Sequence, residues 1–204
     1  MRTAYELQDY QVLGLPGWAN EERWDVQARS SLLAFPEDLR TAAAEDRSRW
    51  QRQTSEMLRS MLADRFHLAA DLETRERPVY FLVVDKRGSK LQKSAAPGGS
   101  VRSGMNNGRG TAQFRGAALP FLAESLSGRV GIPVVDHTEL DGTYDFKLEW
   151  TAEVGQPGAV ADPGPGAPPN IFTALQEQLG LRLESGKGPV QVLQVKNVER
   201  PSEN

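Results

Sequence analysis

The sequence predicts an α+β protein in which helix-plus-β-hairpin units recur, their strands joining an antiparallel or mixed sheet covered by helices. Three observations predict it. The phrase RPVYFLVV at residues 77–84 returns as GPVQVLQV at 188–195; apolar residues at helical spacing precede both copies; and TYDFKLEW alternates strictly between apolar and charged residues. A helix with one apolar stripe, or a hairpin with one apolar face, exposes too much hydrocarbon to stand alone, so such units must stack on a shared core.

In chain order, residues 1–45 form an N-terminal segment in which AYELQDY reads as a helical turn and GLPGW as a tight turn. RWDVQAR follows as an edge strand whose Trp24 and Val26 point inward. The first unit spans 46–86. Trp50, Met57, Leu58, Met61, Leu62 and Phe66 recur at three- and four-residue steps and predict an amphipathic helix. Leu68, Ala70 and Leu72 then alternate as one strand, TRER makes a turn, and VYFLVV returns as the second strand. The second unit, 111–150, carries Leu119, Leu122, Leu126 and Val130 on one helical face, Gly131 and Pro133 as the stop, IPVVD as a short strand and TYDFKLEW as a half-buried one. The third, 170–204, opens on Asn170 as an N-cap, with Phe172, Leu175 and Leu179 as the buried stripe and Gly180 as the C-terminal cap. Leu181 and Leu183 alternate after it, SGKG makes a turn, and PVQVLQV completes the hairpin. Between the units lie a basic connector, 87–110, and a Pro/Gly-rich linker, 151–169, with nine Gly or Pro among positions 155–169. Both are expected to be mobile.

With 204 residues, 39% of them hydrophobic, the chain can build a packed core. The absence of cysteine removes disulfides, thiolate metal sites and thiol nucleophiles together. No stretch is apolar for the roughly 18 residues a membrane helix needs, and the start carries no export signal. The net charge of -3 hides two opposed fields: Lys86–Arg115 holds seven basic residues and no acid, while Gly116–Asn170 holds eight acids and two bases.

Candidate chemistry is sparse. In VVDHT, neighbours on an extended strand point to opposite faces, so Asp136 cannot orient His137 as a triad does. His67 follows a helix and suits its C-terminal carbonyls. Two distant histidines and no cysteine predict no metal site, and no cofactor motif occurs: neither G-x-S-x-G, nor a phosphate-cradling glycine-lysine loop, nor G-x-G-x-x-G. The carboxylate pairs Glu73 with Glu76 and Asp141 with Asp145 flank predicted turns, where acids serve solubility. The basic residues Lys86, Arg87, Lys90, Lys93, Arg102, Arg109 and Arg115 are the candidate contacts for an anion or a partner; with Phe114 the one aromatic among them, base stacking has little to work with. The plainer reading is a solvated segment guarding a sheet edge. Trp18, Trp24, Trp50 and Trp150 read as core residues, three of them on predicted buried faces.

The ordered motifs GLPGW with RWDVQAR, MLRSMLADRFHL, ETRERPVYFLVV, VVDHTELDGTYDFKLEW, IFTALQEQLGLRLE and GPVQVLQVKNVERPSEN resemble an uncharacterised, Solibacter-type family greatly expanded in soil acidobacteria, a domain of unknown function. The resemblance spans nearly the whole chain. It implies mostly exported proteins, some joined to membrane metallopeptidase-type sensor domains, with no assigned activity or site. It also implies an export signal and a strand-rich segment ahead of Met1, so this chain is expected to be truncated, and its location is periplasmic or secreted with a cytoplasmic one left open. His137 stands where the family more often has lysine. The ending IFTALQEQLGLRLESGKGPVQVLQV is similar, at fold level, to the short N-terminal periplasmic domains of secretins and TonB-dependent receptors.

The resulting expectation is a non-enzymatic, envelope-associated sensor or adaptor that takes a protein or peptide partner on a free sheet edge. The alternatives are a hydrolase using Asp136, Asp141 or Asp145, and anionic-polymer binding through the basic segment at 86–115, nucleic acid being the less suited polymer.

Overall fold

The computed structural model describes residues 1–26, 44–95, 100–106, 109–152 and 166–201, and they form an α+β fold with two four-stranded sheets. They group into two compact units, Met1–Arg75 with Pro189–Asn204, and Glu76–Gly188. The expected linker at 151–169 falls mostly outside the described residues. Among those residues no helix is long and apolar enough to cross a membrane.

The first unit holds helix α1 (Arg2–Tyr5), a 3-10 turn at Asp9–Gln11, strand β1 (Val12–Leu13), helix α2 (Trp18–Glu21) and the long helix α3 (Ala44–Phe66). It also holds the start of β2 (Ala69–Val84) and the end of β8 (Leu181–Asn197). Parallel β1 sets Val12 opposite Leu193 and Leu13 opposite Gln194. Helix α3 is pinned to α1 by polar bonds: Ser55 Oγ donates to the Thr3 carbonyl at 3.0 Å, and Arg59 Nε donates to that of Ala4 while lying over the Tyr5 ring. Its expected apolar stripe is only half covered, and Met57 is exposed. RWDVQAR is not a strand over its described residues; Trp24 and Val26 are 46% and 55% exposed instead of inward-facing. Trp24 has the Phe66 ring edge as an aromatic neighbour, but no strand pairs with its backbone to hold it inward.

The second unit carries the main core. Sheet B runs β3-β7-β5-β4, where β3 is Gln92–Lys93, β4 Ser100–Asn106, β5 Arg109–Ala117 and β7 Tyr144–Thr151. Phe114, Leu148 and Trp150 on its inner face meet Leu119, Leu122 and Leu126 of α4 (Leu119–Val130) and Ile171, Leu175 and Leu179 beyond. Burying each such side chain contributes about 1.5–3 kcal/mol, so this cluster is the main source of the unit's stability. The predicted stop at Gly131 and cap at Asn170 are present: Gly131 takes a left-handed conformation, and Asn170 Oδ1 accepts from the Thr173 amide at 3.0 Å. Helix α5 (Ile171–Ala174) continues as a π-helical turn, Leu175–Leu179, which Gly180 ends at φ +65.

The sequence echo lies on neighbouring strands, because the other sheet runs β1-β8-β2-β6, with β6 at Val134–Asp136. The two expected hairpins are absent. Residues 69–84 and 181–197 are each one continuous strand through TRER and SGKG. The glycines of SGKG are not turn residues: a Cβ on Gly186 would sit 2.4 Å from the Phe81 ring, so glycine is what lets the strand pass over that side chain. The polar TRER reads as a turn by composition, yet as a strand it stays solvated, with Arg75 donating to Glu73 at 2.9 and 2.8 Å. IPVVD and TYDFKLEW are strands as expected, but they do not pair with each other: β6 runs parallel to β2, and β7 lies between β3 and β5. Within TYDFKLEW, Tyr144, Leu148 and Trp150 are buried and Asp145, Lys147 and Glu149 exposed, as the alternation requires.

Candidate functional site

The connector at 87–110 is the largest departure from expectation. Instead of a mobile loop it supplies β3, β4 and the start of β5, and β4 pairs antiparallel with β5 from Ser100↔Arg115 to Asn106↔Arg109. The signal was present in the sequence, since Asn107-Gly108 is a strong two-residue hairpin dipeptide. The abundance of Gly, Ser and basic residues around it masked the alternation.

Antiparallel strands point both backbone groups of alternate residues to the same side. On β7, Glu149 uses its amide and carbonyl on the side-chain amide of Gln178, at 2.9 and 2.7 Å. The Thr151 amide donates to the Pro169 carbonyl at 2.9 Å, so the odd-numbered β7 residues face away from β5. The register then directs Gly110, Ala112 and Phe114 of β5 to β7, and Arg109, Thr111, Gln113 and Arg115 to β4. On β4, Ser100, Arg102, Gly104 and Asn106 bond to β5, which leaves the amides and carbonyls of Val101, Ser103 and Met105 directed outward. Among the described residues β4 is paired on one side only.

The opposite flank, along β7, is largely covered. β3 covers Tyr144 and Asp145, the Gln178 side chain covers Glu149, and Pro169 and Asn170 cover Thr151, leaving Lys147 alone between them.

The basic candidates divide accordingly. Arg102, Arg109 and Arg115 come together on the solvent face of β4 and β5, strands that hold no acid. One strand further in, Lys147 bonds Glu149 at 2.6 Å. Asp145 Oδ1 accepts from the Gly116 amide at 2.6 Å, where Gly116 takes φ +58 in a bulge between Phe114 and Ala117. That backbone bond, then the Ser94 side chain and Arg115, hold the Asp145 carboxyl below the ordinary aspartate range. The remaining candidates sit elsewhere. Lys90 Nζ donates to the Glu177 carbonyl, capping the π turn; Arg87 pairs with Asp85 at 3.1 Å; Lys86 is exposed in the same loop; Lys93 lies on β3.

The acidic candidates are also divided. Asp136 and Asp141 line a cleft of about 690 Å³ with His137, Glu139 and the start of α4, and Asp145 is not among its lining residues. Asp136 Oδ1 accepts from the Thr138 amide at 3.0 Å, and the His137 ring stacks on Phe81 at 4.4 Å. Among the described residues no hydrogen bond joins that imidazole to a carboxylate. Glu73 and Glu76 stand three apart on one strand and so face opposite sides. His67, in the first unit, is the left-handed residue after α3 and pairs with Glu199 at 3.3 Å, the capping position its sequence context suggests. A second cleft in that unit, about 740 Å³, is walled by Trp18, Trp24, Leu62 and Phe66 with Arg2 and Arg23 among its lining residues.

The described residues define a two-sheet α+β protein in which β4 is paired on one side only. The chain belongs to the family described as a protein of unknown function, DUF3738, whose model matches residues 1–198. No curated protein and no solved structure matches it.

Proposed function

We propose that the protein is a non-enzymatic binding module that takes an extended segment of a partner protein onto β4 as an additional strand. One observation carries this: the outward amides and carbonyls of Val101, Ser103 and Met105 form a short template on an edge that no described strand covers. The export expected for most proteins of the resembled family supports work in the cell envelope or outside the cell, as a sensor or adaptor. The anionic-polymer alternative is weaker because Phe114, the aromatic of the basic segment, is buried in the core, and the solvent face of β4 and β5 offers no ring for a base to stack on.

Selection of linear peptides from a random displayed library tests the proposal, with Ser103→Pro as the control. Proline removes the outward amide at 103 and leaves the β4–β5 ladder, which uses residues 102 and 104. Selected peptides should bind the parent chain and lose at least about tenfold in affinity on Ser103→Pro, a difference near 1.4 kcal/mol. Amide shifts on binding should centre on Val101, Ser103 and Met105. Binders indifferent to Ser103→Pro would overturn it.

A further inference from the structure

The chemistry of the incoming strand can be read from the residues beside the open edge. A strand paired with β4 continues the pleat, so its alternate side chains extend the two faces of sheet B. On the solvent face, residues opposite Arg102 and Gly104 meet Arg102 directly and Arg115 one strand further in. Neither strand holds an acid, and Asp145 and Glu149 lie one strand beyond, on β7. On the other face, Val101 is partly buried against the core cluster, so a residue beside it extends an apolar surface.

Resting on strand addition at β4, we infer that the partner segment alternates acidic and apolar residues, its acids on the Arg102 face and its apolar side chains beside Val101. Cross-strand pairs of opposite charge stabilise and like charges repel. The same rule disfavours a second copy of this chain as the occupant, because edge-to-edge pairing of two β4 strands brings two sets of arginines together. Gly104 offers a direct way to strengthen the field: nothing lies within 4 Å of a Cβ placed there, so Gly104→Arg adds a cation on the face that Arg102 occupies.

The test uses the full chain and two blocked synthetic peptides, one alternating Glu and Val, the other Lys and Val. The Glu–Val peptide should bind and the Lys–Val peptide should not. Arg102→Glu should weaken the first about five- to tenfold and admit the second, Gly104→Arg should tighten the first severalfold, and added salt should weaken it. Ser103→Pro should abolish binding while leaving the folded spectrum unchanged. Equal binding of both peptides, each lost on Ser103→Pro, would overturn the acidic assignment and leave strand addition standing. Failure of both peptides while library-selected, Ser103→Pro-sensitive binders lack alternating acids would do the same. If no binder responds to Ser103→Pro, both fall. Self-association through β4, or displacement of the Glu–Val peptide by a single-stranded oligonucleotide at equal charge, would also overturn the inference.

Discussion

The two flanks of sheet B solve the same problem in opposite ways. On the β7 side, the unpaired backbone is met by a two-residue strand, a glutamine side chain and the run into Asn170. On the β4 side no described strand meets it, and Arg102 lies beside it. A primary amide has one acceptor oxygen and two donor hydrogens, so Gln178 satisfies Glu149 as a neighbouring strand would. Arginine, a donor only, satisfies no outward amide; under the proposed strand addition it selects the incoming strand by charge. One flank is therefore largely covered by hydrogen bonding, and the other carries cationic side chains beside an edge that no described strand covers.

The comparison is broken most severely at the strand both flanks depend on. Gly110→Ala would place a Cβ 2.2 Å from the Trp150 ring, and the shift this forces in a packed core should cost about 3 kcal/mol in chemical denaturation. Both flanks should loosen together. Gln178→Ala should cost about 1 kcal/mol, since water can replace part of what Glu149 loses. It should also open the β7 flank, seen as peptide binding that survives Ser103→Pro.

Acid should act more gently. The Asp145 carboxyl titrates below its unfolded value, so its contribution is fully present above the ordinary aspartate pKa, about 3.9, and is lost as pH falls through the lower folded value. Stability should be level near pH 5 and decline below about pH 4, and Asp145→Asn should flatten part of that decline. The smallest effect is expected for Ser103→Pro, within about 0.5 kcal/mol of the parent by denaturation, because the amide it removes is unpaired at the free edge.

Much of the local structure was legible in the sequence. The α4 stripe with its Gly131 stop, Asn170 capping Thr173, Gly180 ending the helical turn, and the in–out alternation of TYDFKLEW all depend on residues within one turn or one strand of each other. What failed was the reading of polar and glycine-rich stretches, the connector at 87–110 above all, and the pairing of strands. SGKG and TRER have the composition of turns, and only the Phe81 ring beneath Gly186 explains why a glycine-rich stretch stays extended. The helix-plus-hairpin repeat dissolved for the same reason, its strands having partners elsewhere in the chain. Of the seven basic candidates, Arg102, Arg109 and Arg115 share a face, a fact fixed by register and invisible to a count of charges.

The sequence by itself determined where α3, α4 and the strand TYDFKLEW lie, which of their faces are apolar, and that the basic and acidic charge lies in separate stretches, because these follow from the order of neighbouring side chains. Only the tertiary structure decided which strand sits beside which, that Gln178 covers the Glu149 backbone, and that among the described residues β4 is paired on one side only. Strand partners are chosen by long-range packing among segments whose local preferences are nearly alike, and no residue's neighbours in the chain encode that choice.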